Sequence, residues 1–105
     1  MPTLPARAEE AFRPATAYRA LHHPTRRRLL GVLRVRGPQT FGELAAYLAL
    51  SDLKLHFHLQ LLGEAGLVRF RKTPAATPLA ERTVVFRPVG WARVKRLWGE
   101  GMERV

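Results

Sequence analysis

The stretch Thr40–Val68, TFGELAAYLALSDLKLHFHLQLLGEAGLV, carries the punctuation of two short helices joined by a tight turn. Thr40-Phe41-Gly42-Glu43 has the form of a capping box, in which the Thr40 hydroxyl accepts from a first-turn amide and the Glu43 carboxylate reaches back to the Thr40 amide. A helix to about Leu48 should follow. Leu50-Ser51 is a tight connection, and Ser51 or Asp52 caps a second helix that runs through Leu62 and stops near Gly66. At about 100° per residue, Leu55, His58, Leu59 and Leu62 fall within one arc of this helix and must pack on a core. The far side holds Leu53, Phe57 and Gln60, flanked by Lys54 and His56.

Upstream, residues 1–14 carry three prolines and mixed charge, and read as an N-terminal arm with at most a short helix around Ala6 to Phe12. A short helix is expected over Ala15 to Leu21. His23-Pro24 restarts the chain, with Pro at the first position of a helix running to about Arg36, where Gly37-Pro38 ends it. Leu29, Leu30 and Leu33 line its buried face, while Arg26, Arg27, Arg28 and Arg34 surround them.

Downstream, Leu67 to Lys72 alternates apolar and basic residues and Thr83 to Arg87 is β-branched and aromatic. This predicts a β-hairpin with a long loop. Val89 to Val105 places Trp91, Val94, Trp98 and Met102 on one helical stripe. The predicted fold is mainly α with a small β-hairpin (α+β), as one domain over residues 15–105 behind the arm, closed by a helix at about 88–104.

A chain of 105 residues fits one such domain. Its 18 Lys and Arg against 8 Asp and Glu give a formal net charge of +10, which attracts polyanions, and nucleic acid is the first partner to consider. A GC-rich genome accounts for Arg in place of Lys, which occurs only at 54, 72 and 95, but not for the shortage of acids. With no cysteine there is neither a disulfide framework nor a thiolate metal site, and Met1 to Pro14 lacks the apolar run of a signal peptide. No stretch approaches the roughly eighteen apolar residues of a membrane span. A cytoplasmic, nucleoid-associated protein is expected.

Catalysis finds little material. Ser51 is the only serine and Asp52 the only aspartate, and both belong to a helix cap rather than to a set of nucleophile, base and orienting acid. Of the four histidines, His56 and His58 lie about 200° apart on their helix, so one ion cannot easily take both. His22 and His23 lack an obvious carboxylate or cysteine partner. No enzyme activity, cofactor or metal is predicted.

The order of elements resembles the bacterial winged helix-turn-helix regulators of the ArsR and MarR type. The resemblance rests on His23-Pro24-Thr25-Arg26 with Leu29-Leu30, on Thr40-Phe41-x-Glu43-Leu44-Ala45, and on the run from Leu50-Ser51-Asp52 through His58-Leu59, Leu62 and Glu64-Ala65-Gly66-Leu67-Val68. Arg82-Thr83 and Gly90 also match a small single-domain subfamily, and the likeness spans about Tyr18 to Trp98. It implies a homodimer on a palindromic or near-palindromic operator of double-stranded DNA that represses or activates a nearby gene. Metal-sensing relatives often use cysteines near the motif or His and Asp in the last helix, and this last helix contains neither.

On that reading Ser51, Leu53, Lys54, His56, Phe57 and Gln60 belong to the recognition helix. Gln60 can bond adenine in a paired fashion, Lys54 reaches guanine or a phosphate, His56 does either, and Leu53 or Phe57 touches thymine methyls. Alternatively, Leu53, Phe57 and Leu61 pack against the fold or a partner. Asp52 suits the positive end of the helix dipole, with a cytosine contact as the weaker option. Thr40 at the motif start and Arg69, Arg71, Lys72 and Arg82 on the wing are candidates for the DNA backbone or minor groove. Of Arg26, Arg27 and Arg28, one is expected to face DNA, and Arg26 is a candidate for an internal ion pair. Trp91, Val94, Trp98 and Met102 are expected at a dimer interface, or else in the subunit's own core. The rival reading is a winged-helix module for protein interaction or nonspecific nucleic-acid binding.

Overall fold

In the computed structural model, which describes residues 14–98, the chain begins with helix α1 (Pro14–Ala20) and turns directly into α2 (Pro24–Arg36). His23 Nδ1 accepts from the Thr25 amide at 3.1 Å, and Pro24 takes a first-turn position where no amide is needed. The helix ends at Gly37, whose φ of 83° suits a residue without a Cβ and whose amide returns to the Leu33 carbonyl at 3.0 Å.

The capping box forms as the sequence predicts. Glu43 N donates to Thr40 Oγ1 at 3.0 Å and Thr40 N to Glu43 Oε1 at 2.8 Å, starting α3 (Phe41–Leu48). The turn that follows is made by Ala49 at φ 55° and ψ 47°. Ser51, rather than Asp52, caps α4 (Asp52–Glu64), its hydroxyl accepting from the Lys54 amide at 3.3 Å. Behind α4 the Leu67 amide returns to the Leu62 carbonyl at 3.0 Å across Gly66, at φ 77°.

The sheet holds one strand more than the expected hairpin. Gln39–Thr40 (β1) joins Val68–Phe70 (β2) and Thr83–Phe86 (β3) in the order β1-β3-β2, all antiparallel. Register pairs Thr40 with Thr83 and Phe70 with Val84. The loop between β2 and β3 is partly ordered by a 3₁₀ turn at Leu79–Glu81 that lies against the first turn of α3. The chain then runs into α5 (Pro88–Trp98). Pro14, assigned from sequence to the arm, is the first residue of α1, while residues 1–13, with the suggested helix around Ala6 to Phe12, and the extension of the closing helix through Met102 lie outside the described residues.

Leu29, Leu30 and Leu33 of α2 meet Leu55, Leu59 and Leu62 of α4 in a core that also takes Leu44, Leu67, Val84 and Val94. The predicted helical arcs are therefore the ones buried. Gly90 is the point of closest approach: a Cβ there would collide with the Gly66 carbonyl oxygen, so α5 lies directly on the turn between α4 and β2. Among the described residues no helix is long and apolar enough to cross a membrane.

Candidate nucleic-acid interface

With Leu55, His58, Leu59 and Leu62 buried, α4 turns the opposite face outward. Leu53 is 80% exposed and Phe57 56% exposed, and Lys54, His56 and Gln60 are exposed beside them. The structure thus gathers every recognition-helix candidate except the Ser51 cap on one helix surface, and Ser51 sits at its N-terminus. The Ser51 and Thr40 oxygens accept from backbone amides, and each hydroxyl retains its own proton to donate. The amides at the start of a helix also favour an anion.

An aromatic contact set not anticipated from sequence ties this helix to the wing. The Phe41 ring lies 6.1 Å from the His56 ring and 6.0 Å from the Phe70 ring. Phe70 also closes on Gly63, where a Cβ would stand 3.0 Å from its Cε2. His56 consequently sits on the wing side of the exposed face. Alternation in β2 was the available signal, since Phe70 shares its side of the strand with the buried Val68.

On the wing, Arg69, Arg71 and Lys72 are exposed. Arg82 is half-buried and braces the loop: its Nε donates to the Thr77 carbonyl at 3.1 Å and its Nη2 to the Ala75 carbonyl at 3.2 Å. The arginine run of α2 divides similarly. Arg27 Nη1 donates to the Leu21 carbonyl at 2.6 Å, while Arg28 is exposed. Arg26 is buried, and among the described residues its partners are hydrogen-bond acceptors rather than the carboxylate of the candidate ion pair: Nε donates to the Ala20 carbonyl at 2.7 Å and Nη1 to His58 Nδ1 at 3.2 Å. Burial lowers the Arg26 pKa. The His58 pKa is also lowered, first by burial and then by the charges of His23, Arg26 and Lys54.

The interface reading of Trp91 and Val94 requires correction. Both are core residues of the domain, 4% and 0% exposed, and so have almost no surface to give a partner. The Arg34 guanidinium covers the Trp91 ring at 4.6 Å. Trp98 is half-buried, with its ring 5.9 Å from the ring of Tyr18, which is exposed on α1. Met102 lies outside the described residues. Among the described residues no group of three or more His, Cys, Asp or Glu is placed to hold a metal ion.

Two capped helices across a tight turn, the second held outward beside a basic β-wing, make this a winged helix-turn-helix domain. A helix-turn-helix domain family profile matches residues 21–70. Among solved structures, an ArsR family transcriptional regulator is 29% identical, with 86% of this chain and 92% of that chain covered at a TM-score of 0.68. A possible transcriptional regulator for arsenical resistance is 33% identical, with 85% and 91% covered at a TM-score of 0.67. A MarR family transcription regulator, 21% identical with 87% and 59% covered at a TM-score of 0.59, shares the fold. No curated protein sequence matches the chain. The chain belongs to the helix-turn-helix transcriptional regulators of the ArsR type, and binding DNA in the regulation of transcription is the role its family and fold support.

Proposed function

We propose that the protein is a sequence-specific regulator that binds a palindromic operator as a homodimer, with one recognition helix and one wing per subunit. The observation that carries this reading is the exposed face of α4, where Leu53, Phe57 and Gln60 stand clear of the core beside the basic wing. A helix of this width fits the major groove, and the wing arginines then run along the phosphates. The hydroxyls of Thr40 and Ser51 donate to phosphates at the two helix starts. The dimer surface is drawn from α1 and α5, through Tyr18, Leu97 and the half-buried Trp98. A cytoplasmic protein at the nucleoid, without catalytic activity, is the corresponding picture.

The decisive experiment selects bound duplexes from a random pool and titrates the recovered sequence with salt. A recovered palindrome, a steep fall of affinity with salt, and a preference over random duplex of about a thousandfold or more are expected. Equal binding to any duplex would overturn the proposal in favour of a nonspecific module, and a monomer by sedimentation at micromolar concentration would remove the constitutive dimer.

A further inference from the structure

The outward face of α4 is chemically unusual for a surface that meets a polyanion. Leu53 and Phe57 lie four residues apart, side by side on one face and about 6 Å apart along the axis, and Gln60 follows on the next turn. No arginine occurs anywhere in α4, and its one cationic side chain, Lys54, stands at the edge of this arc. His56 is turned toward Phe41 on the wing side. The centre of the face is thus two hydrocarbon groups and one amide.

The major-groove edges of the bases offer one apolar group, the thymine C5 methyl. Set against guanine or cytosine, Leu53 and Phe57 would strip water from hydrogen-bonding atoms and return nothing, which disfavours G·C pairs at those positions. We infer that the protein selects its operator chiefly through thymine methyl groups, Leu53 and Phe57 each covering a methyl about two base steps apart and Gln60 taking an adenine beyond them. The spacing follows from about 6 Å of helix against about 3.4 Å per base pair. This inference rests on the proposed entry of α4 into the major groove. A protein partner over the same face is the less favoured occupant, because Lys54 and Gln60 border the apolar pair and the cores of protein interfaces are depleted in charge.

The test uses the operator recovered from the random pool, resynthesised with deoxyuridine in place of single thymidines, which deletes a methyl and leaves base pairing intact. At two positions per half-site affinity should fall about fourfold per methyl. Leu53→Ala should abolish the sensitivity at one of these positions and Phe57→Ala at the other, as coupled pairs in a double-mutant cycle. Both side chains are exposed, and circular dichroism melts of the variants verify that the fold is retained. Sequence-specific binding with no deoxyuridine effect at any position would overturn the methyl reading and leave the regulator standing. Variants that bind the unmodified operator as tightly as the wild type would overturn it too, assigning the pair to a protein partner. Loss of all sequence preference in the wild type would instead overturn the proposed function, and this inference with it.

Discussion

Arg26 of α2 and His58 of α4 meet beneath the recognition helix, with the guanidinium Nη1 3.2 Å from the imidazole Nδ1. A guanidinium has only donors, so Nδ1 accepts and the His58 proton resides on Nε2. This fixes His58 as neutral. A proton on Nδ1 would set donor against donor and place a second charge beside Arg26, with His23 and Lys54 adding to the repulsion.

Stability should therefore depend on pH through His58. Its pKa in the fold lies below its ordinary value of about 6.5, so the unfolded chain binds the proton more readily. The contribution is complete above about pH 6.5 and is lost as pH falls toward the folded-state pKa, with a slope of at most about 1.4 kcal/mol per pH unit. Urea unfolding at pH 7.5 and 5.5 should show the native protein losing stability at the lower pH. His58→Gln, which keeps an acceptor for Arg26 without titrating, should flatten that dependence even though it lowers the starting stability. An unchanged pH dependence in the variant would remove His58 as the cause.

Gly90→Ala should be strongly destabilising. A Cβ at this position runs into the Gly66 carbonyl oxygen, which is backbone and cannot swing away, so α5 must lift from the turn behind α4. Overpacking of this kind costs about 1–3 kcal/mol, or at least about 4 °C in Tm for a domain of this size. Gly31→Ala is the control, since nothing lies within 4 Å of a Cβ there and α2 gains about 0.5–1 kcal/mol from a better helix former. Thermal melts that moved both variants in the same direction would contradict the packing argument.

Much of this arrangement is legible in the sequence because local rules decide it. The Thr40-Glu43 box, a cap at Ser51 or Asp52 and the Leu55-His58-Leu59-Leu62 arc each follow from spacing alone, and Leu53, Phe57 and Gln60 are then outward by default. Tertiary contacts are what spacing does not report. The stripe of α5 is amphipathic whether its tryptophans face a partner or the core, and it is the approach of Gly90 to Gly66 that draws Trp91 and Val94 inward. A run of three arginines likewise does not report which of them turns outward and which turns in. Only the folded α1–α2 corner shows that carbonyls at Ala20 and Leu21 claim two of them.

Ala49→Gly should stabilise the protein. Ala49 holds the turn between α3 and α4 in the left-handed region, where a Cβ crowds the following carbonyl at a cost of about 1–2 kcal/mol. Glycine removes that strain but is more flexible when unfolded, an offset of about 0.4–1 kcal/mol. A net gain of about 0.5–1 kcal/mol is expected in denaturant midpoints at unchanged m-value. A loss of stability would mean that the Ala49 methyl contributes packing its exposed position does not suggest.

The wing and the helix should separate in binding experiments. Gln60→Ala should alter the preferred base at one position per half-site, worth about 1–3 kcal/mol of discrimination, whereas Arg71→Ala should weaken all duplexes alike and reduce the salt slope by about one per subunit. Arg82→Ala should also weaken all sequences, but by another route, because its guanidinium spans the Thr77 and Ala75 carbonyls and orders the loop that presents Arg71 and Lys72. Arg82→Lys distinguishes the two causes. Lysine keeps the charge but not the planar fork, so a phosphate contact would be largely rescued by it and a brace would not. Binding that remains weak in Arg82→Lys, together with a wing loop that exchanges amide hydrogens faster, is the expected result. Recovery of full affinity would instead place Arg82 against the DNA backbone.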